Sequence, residues 1–237
     1  MPDIEIGPVS QGSSTLNGYL VRPSGTGPWP GVVVIHEAFG LDAVMRRQAE
    51  RMARAGYLTL APDLYTDGGV RRCLVSTFRA MLSGHGKAYA DIEAARARLQ
   101  DDPECTGKVG VIGFCMGGGF ALATAGRGFD VASVNYGPAS RKLDDVLEGA
   151  CPVVGSYGKK DLGLRGMAGK LEKSLTRLGV EHDVKEYPTA SHSFLNDAMT
   201  GPRLLQPLLK VTGYKPEPVA AEDAWQRIDA FFAEHLA

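Results

Sequence analysis

The sequence predicts an α/β fold: a mostly parallel central sheet of about seven or eight strands with helices on both faces. Apolar runs of strand length alternate with helix-like stretches from about residue 31 to the end. Several of these runs are continuously apolar, as is typical of strands buried on both faces of a parallel sheet. The 237 residues, 44% of them hydrophobic, suffice for a sizeable core. We therefore expect one domain over residues 1–237.

The predicted elements follow one another in a regular order. Residues 14–22 are predicted to add an antiparallel hairpin at the start of the sheet. Further strands are predicted at residues 31–37, 57–62, 109–112, 131–136, 152–157 and 183–187. Apolar residues at helical spacing predict helices around residues 45–53, 88–99, 167–178 and 225–232. Gly56 and Gly179 are typical stop signals for the first and third of these helices. This strand–helix–strand succession indicates a parallel, doubly covered sheet.

Two segments interrupt the alternation, at residues 66–86 and 200–218. The first contains Arg71 and Arg72, and the second combines prolines with an apolar stripe. Insertions of this length in an α/β unit commonly form lids or binding loops. We expect both to be lids or pocket walls.

Composition excludes several classes of protein. A formal charge of -1 gives no electrostatic footprint for nucleic acid or an anionic membrane. The four cysteines show no CxxC spacing, which argues against a zinc site, a redox pair or a disulfide scaffold. No signal peptide or membrane span is recognised, so a reducing cytoplasm and no membrane partner are expected. A monomer and a homodimer both remain open.

The most informative motif is Gly-Phe-Cys-Met-Gly at residues 113–117, directly after a predicted strand. A strand that ends in Gly-x-nucleophile-x-Gly and runs into a helix is a nucleophile elbow. Such a turn would place the Cys115 sulfur at a helix N-terminus, where free N–H groups favour the thiolate. The alternative is a glycine-rich turn with a buried, inert cysteine.

Two downstream residues supply the partners that a cysteine nucleophile needs. In this arrangement the acid and then the base follow the nucleophile, each on a loop after a strand. Asp161 and His192 occupy such positions. Neither residue alone is strong evidence for a catalytic role, since the aspartate could be a turn former and a lone histidine is more often structural. The order and loop context together favour a hydrolase triad.

The other histidines compete less well for the role of base. His85, His182 and His235 are expected at the surface, and His36 is expected to be buried and structural.

Glu37 is unusual, because it lies at the end of the first central strand, where this kind of fold places its oxyanion loop. It could cap the helix that begins near Asp42. Alternatively it is a buried carboxylate beside Cys115 that takes the thiol proton, since burial raises a carboxyl pKa. Ala38 and Met116 would then donate backbone N–H groups to the oxyanion of a tetrahedral intermediate.

These motifs together resemble the dienelactone hydrolase family of the α/β-hydrolase superfamily. The resemblance rests on residues 35–40, 61–65, 113–118, 192–194 and 224–236, and covers nearly the whole chain after residue 15. A cysteine in the elbow with a glutamate on the oxyanion loop is its most selective element.

The resemblance implies a triad of Cys115, Asp161 and His192, with Glu37 as the thiol's resting partner. It also implies no metal or cofactor, and a small-molecule substrate, either a cyclic enol lactone or another ester. Type members hold the substrate carboxylate with arginines, one of them a short way after the catalytic histidine. Here Asn196 follows His192 instead and cannot make a charge-assisted pair. The candidate pocket residues are Phe39, Arg71, Arg72, Tyr136, Phe194 and Asn196.

Two other interpretations remain. The chain could bind a ligand or sense oxidation through the elbow cysteine without turnover. A nucleotide-binding loop is disfavoured, because the glycines do not follow G-x-G-x-x-G spacing.

Overall fold

The protein is described here by a computed structural model covering residues 3–140 and 142–237. Its centre is one eight-stranded sheet flanked by helices, which confirms the predicted fold class. The strands are β1 (Asp3–Gly7), β2 (Leu16–Val21), β3 (Trp29–Ile35), β4 (Leu58–Pro62), β5 (Cys105–Phe114), β6 (Val131–Asn135), β7 (Val153–Gly158) and β8 (His182–Tyr187). The helices are α1 (Ala43–Arg54), α2 (Gly69–Ser83), α3 (Lys87–Gln100), α4 (Met116–Thr124), α5 (Leu143–Leu147), α6 (Met167–Leu178), α7 (Gln206–Val211) and α8 (Pro218–Leu236), with a 3-10 turn at Leu162–Leu164.

The strand order across the sheet is β1-β2-β4-β3-β5-β6-β7-β8. The six strands from β4 to β8 pair in parallel, and β2 pairs antiparallel with both β1 and β4. The predicted hairpin within residues 14–22 is therefore wrong in detail. That stretch provides a single strand, and its hairpin partner is β1, whose short, partly exposed sequence carries little hydrophobic signal.

Helices cover both faces of the sheet. Helices α1 and α8 pack on one face, in a core cluster that contains Met45, Met52 and Phe232. Helices α3, α4 and α6 pack on the other, around Ile92, Phe120 and other buried side chains. The central strands are buried on both sides, as the continuous run from Val32 to Ile35 required. Among the described residues, no helix combines the length and apolarity needed to cross a bilayer.

The segment at residues 66–86 is mostly helix α2. Its side chains Val70, Leu74 and Phe78 pack against the core, and Met81 is buried. It is thus a covering helix rather than a free loop, because its apolar residues recur at helical spacing. Its N-terminal turn approaches the loop after β3, where Val70 lies against Gly40.

Parallel strands bring their carboxyl ends to one edge of the sheet. Strands β3, β5, β7 and β8 are followed there by Glu37, Cys115, Asp161 and His192. This edge is where open α/β sheets place their ligand sites.

Candidate active site

Cys115 occupies the sharp turn between β5 and α4. Its backbone has φ 53° and ψ -117°, a conformation that non-glycine residues adopt only under constraint. The turn is held by hydrogen bonds from the Cys115 N–H to Asn135 O at 3.1 Å and from the Gly119 N–H to Cys115 O at 3.1 Å. The sulfur therefore sits at the N-terminus of α4, where the first N–H groups of the helix have no partner within the helix.

The glycines around Cys115 are required by close backbone contacts. A Cβ atom on Gly113 would lie 1.9 Å from Gly117 O, and one on Gly117 would lie 2.1 Å from Ile35 O. A Cβ on Gly118 would lie 2.6 Å from Asn135 O. Because these neighbours are backbone atoms, they cannot move aside as a flexible side chain could. Glycine is therefore required at these positions because the elbow, β3 and β6 approach one another closely.

His192 and Asp161 form the second part of the site. The imidazole Nδ1 lies 2.5 Å from Asp161 Oδ2, and both side chains are buried. The aspartate thereby fixes the orientation of the ring, with the proton on Nδ1 in the neutral form. The other ring nitrogen, Nε2, is buried without an oxygen or nitrogen partner in the described part of the chain.

The charge on His192 is governed by its neighbours. Burial lowers the pKa of His192, but the Cys115 thiolate and Asp161 outweigh burial and raise that pKa to about 10. The imidazolium is therefore the favoured form at neutral pH while the thiolate is present. Two tyrosine rings also contact the imidazole, with ring centroids 5.1 Å away for Tyr136 and 4.4 Å away for Tyr214.

Glu37 is buried on the same edge, and both of its carboxylate oxygens are hydrogen-bonded. Oε1 accepts from Ser193 Oγ at 3.1 Å and Asn196 Nδ2 at 3.0 Å, and Oε2 accepts from Thr200 Oγ1 at 2.9 Å. Burial raises the pKa of Glu37, while the charge of His192 and these three hydrogen bonds act in the opposite direction. The expected hydrogen bond between Glu37 and the Cys115 thiol does not occur among the described residues, because the three donors hold the carboxylate.

The helix-capping alternative for Glu37 is wrong. Asp42 caps α1 instead, accepting from the Val44 and Met45 N–H groups at 2.9 and 3.0 Å.

The loop after β3 is held in place by two buried side chains, His36 and Tyr65. His36 is fully buried, with Nδ1 2.7 Å from Glu37 O and Nε2 accepting from the Leu64 N–H at 3.1 Å. The Tyr65 hydroxyl donates to Ala38 O at 3.0 Å and lies 3.5 Å from Met116 Sδ. The Ala38 and Met116 N–H groups are not tied to a partner in the described loops and turns, so they are available to a ligand.

Comparison with known proteins shows the family of this chain. The profile of the dienelactone hydrolase family matches residues 16–236. The chain belongs to the dienelactone hydrolase family. A carboxymethylenebutenolidase from Rhodococcus opacus is 29% identical over 92% of this chain and 86% of its own. One from Pseudomonas putida is 30% identical over 78% and 83%.

Solved structures of family members have the same fold. A dienelactone hydrolase-like promiscuous phosphotriesterase from metagenomic libraries superposes with a TM-score of 0.81 at 25% identity, covering 100% of this chain and 99% of its own. Membership of the family makes this chain a carboxylic ester hydrolase. The non-catalytic alternative is accordingly not favoured.

Of the six side chains predicted to line the substrate pocket, three are buried and two are exposed. Tyr136 and Phe194 have no exposed surface and pack behind His192 rather than lining a cavity. Asn196 is also buried, and its amide bonds to Glu37. Arg71 and Arg72 are exposed on the first turn of α2, with no ion pair to a described residue. Phe39 alone among the six is half-buried at the site edge, packed on Gly201.

The remaining histidines lie away from this cluster. His85 is exposed as predicted, whereas His182 and His235 are partly buried. His182 contacts Val180 O, and the His235 ring packs on Phe231.

Three site residues could not be found from the sequence. Ser193 and Thr200 bind the Glu37 carboxylate, and Tyr214 covers the His192 ring. Ser193 adjoins the base and has a positive φ of 59°, but neither feature is visible in a hydrophobic pattern. Thr200 and Tyr214 flank the apolar stripe of the 200–218 segment, which offers no motif of its own.

Proposed function

We propose that this family member hydrolyses a small, uncharged ester or lactone through a covalent acyl-enzyme on Cys115. The observation that carries the proposal is the convergence of Cys115, His192 and Asp161 at the carboxyl edge of the sheet. The nucleophile lies at a helix N-terminus, and the base is oriented by a carboxylate at 2.5 Å.

The acylation step follows from the charges described above. The Cys115 thiolate attacks the carbonyl carbon, and the carbonyl electron pair moves to oxygen. The Ala38 and Met116 N–H groups stabilise that oxyanion, an interaction worth about 3 kcal/mol per donor in comparable sites. The His192 imidazolium gives its proton to the departing alkoxide or enolate oxygen as the carbon–oxygen bond breaks. The product is a thioester on Cys115 and a neutral imidazole.

Deacylation uses the same imidazole as a base. In the thioester the sulfur carries no charge, so its contribution to the high pKa of His192 disappears, while burial still lowers that pKa. Neutral His192 then removes a proton from water, which attacks the thioester carbonyl. Collapse of the tetrahedral intermediate releases the acid and restores the thiolate–imidazolium pair.

The charges of the site favour an uncharged substrate. Asp161 and Glu37 are buried carboxylates, and His192 is the one buried cationic group that faces them among the described residues. Asn196, a neutral amide, faces Glu37 and is not free to pair with a substrate carboxylate. A carboxylated lactone would therefore enter a site of negative charge without a dedicated cation.

Steady-state hydrolysis of p-nitrophenyl acetate by purified variants tests the proposal. Cys115→Ala is expected to abolish hydrolysis, and iodoacetamide is expected to inactivate the wild-type enzyme by alkylating that residue. Cys105→Ala is the matched control, because Cys105 is a free cysteine at the start of β5, at the other end of the strand from Cys115. Full activity in Cys115→Ala would overturn the proposal.

A further inference from the structure

The Glu37 carboxylate is held by donors from two different parts of the chain. Ser193 and Asn196 belong to the loop that carries His192, whereas Thr200 lies at the beginning of the 200–218 segment. Thr200 is 5% exposed, so its hydroxyl reaches Glu37 inside the protein. It donates to Oε2, whereas Ser193 and Asn196 both donate to Oε1.

The 200–218 segment is attached to the site at several points. At its start, Gly201 packs on the ring of Phe39, two residues after Glu37 in the chain. Towards its end, the Lys215 N–H donates to His192 O at 3.2 Å, and Ser191 Oγ hydrogen-bonds to Gly213 O. Between these points the segment contributes α7 and no buried side chain. Its position is thus set mainly where it meets the Glu37 and His192 loops.

We propose that Thr200 is a positioning residue, which keeps Glu37 an ionised carboxylate directed away from the Cys115 thiol. The proposal rests on the function proposed above, in which the His192 imidazolium donates a proton. The charge of His192 lowers the pKa of Glu37, and the attraction between the two charges acts equally on the imidazolium. A hydrogen bond to the charged form of a carboxyl stabilises that form, so loss of the Thr200 hydroxyl favours the protonated acid. A neutral Glu37 would withdraw one of the charges that stabilise the imidazolium.

Other groups around Glu37 act on the same equilibrium. The His192 charge favours the carboxylate, and burial opposes it. Two tyrosines and the nucleophile also face this region. Burial, and to a smaller extent the charges of Glu37 and Cys115, raise the pKa values of Tyr136 and Tyr214. None of these groups changes when Thr200 is replaced, so a Thr200 variant isolates the effect of a single donor.

The first test reads Glu37 directly and does not depend on activity. The enzyme is labelled with ¹³C at glutamate side-chain carboxyls, and the Glu37 resonance is assigned by its loss in Glu37→Gln. Thr200→Val is expected to move its titration midpoint upward by about one pH unit, the effect of losing one hydrogen bond to a charged group. Thr200→Ser keeps a hydroxyl and is expected to restore the wild-type midpoint. Thr212→Val is the matched control, because the exposed Thr212 hydroxyl bonds only to helix carbonyls of the same segment.

The second test reads ester hydrolysis. Thr200→Val is expected to move the acid limb of the kcat/KM profile up by the same one pH unit, which is about a tenfold loss below the wild-type midpoint and no loss well above it. It is expected to have no further effect in a Glu37→Gln background. Identical Glu37 titration in wild type and Thr200→Val, including no titration in either, would overturn the proposal. So would an equal shift in Thr212→Val. If no variant and no wild-type enzyme hydrolyses esters, the proposed function fails, but the titration still decides the role of Thr200.

Discussion

The imidazole Nδ1 of His192 lies 2.5 Å from Oδ2 of Asp161, 31 residues earlier in the sequence, and the two residues follow the neighbouring strands β8 and β7. The pair is buried, and the aspartate leaves the opposite ring nitrogen free of competing oxygen or nitrogen partners in the described chain. The relationship explains why a histidine on a loop has a defined tautomer and orientation. It also yields the first prediction.

Asp161→Asn is expected to lower kcat about 10³- to 10⁴-fold, because an amide can favour the wrong imidazole tautomer. KM should change little, since the side chain is buried behind the ring. Steady-state kinetics with a p-nitrophenyl ester checks both values. A loss below tenfold would show that Asp161 does not orient the base.

The pH dependence should differ between the two chemical steps. Acylation requires the His192 imidazolium, whose pKa is raised to about 10 in the free enzyme. The value of kcat/KM is therefore expected to fall as the pH rises through about 10. Deacylation requires neutral His192, and its pKa is lower once the sulfur is acylated. The pH at which deacylation reaches half its maximal rate should thus lie well below 10.

Single-turnover kinetics separates acylation from deacylation. The variant Cys115→Ala removes the sulfur whose charge raises the pKa of His192. In Cys115→Ala the histidine resonance, followed by ¹⁵N NMR, should titrate at lower pH than in the wild type. The same high titration midpoint in both proteins would contradict the account of the His192 charge.

His192 charge also contributes to stability. Because its pKa is higher in the folded protein than its ordinary value of 6.5, the contribution is fully present below pH 6.5 and is lost as the pH rises toward about 10. Denaturant unfolding between pH 6 and 10 should therefore show a loss of stability in the wild type that is smaller in His192→Ala. The same slope in the two proteins would contradict this linkage.

Gly117→Ala tests the packing of the elbow. A Cβ there would meet Ile35 O at 2.1 Å, so the substitution is expected to cost about 3 kcal/mol or more of unfolding free energy. Gly169→Ala is the matched control, because it lies inside α6 with nothing within 4 Å of an added Cβ. That control should gain about 0.5–1 kcal/mol, the usual helical effect of alanine over glycine. Urea unfolding measures both, and equal stability of the two variants would refute the contact argument.

The ring of Tyr214 covers His192 from the 200–218 segment. Tyr214→Phe should retain activity within about threefold, because the ring contact remains. Tyr214→Ala should lower kcat/KM about tenfold or more, since a loosened base loses its alignment with the nucleophile. Equal activity in the two variants would show that the contact is incidental.

The sequence was sufficient for the main elements of the sheet and for the elbow. A continuous β-branched run such as Val32–Ile35 is typical of a strand buried on both faces, and Gly-Phe-Cys-Met-Gly after a strand is typical of a sharp turn. The positions of Asp161 and His192 followed from chain order, because parallel strands end at one edge. These inferences all use short-range patterns.

The details of the site depended on contacts that no short pattern records. The position of Glu37 at the end of a strand can be read from the sequence, but one of its three hydrogen-bond partners is Thr200, a residue 163 positions away. Asn196 was placed in the pocket, although the structure buries its amide against the same carboxylate. Such assignments require the path of the 200–218 segment, whose exposed leucines do not indicate how it packs.

The charge of the site predicts its substrate preference. An uncharged p-nitrophenyl ester should be hydrolysed with a higher kcat/KM than the analogous ester that bears a carboxylate on its acyl group. Replacing both Arg71 and Arg72 by alanine should leave this ratio within about twofold, because both side chains are exposed and unpaired among the described residues. Clear selectivity for the carboxylated ester would contradict this prediction.

The central claim is a covalent acyl-enzyme on Cys115, and mass spectrometry of acid-quenched enzyme tests it most directly. After brief mixing with excess p-nitrophenyl acetate, the intact protein should gain the mass of one acetyl group. Peptide mapping should place that group on Cys115. Turnover without such an adduct, or an acetyl group on another residue with Cys115 unmodified, would contradict the account.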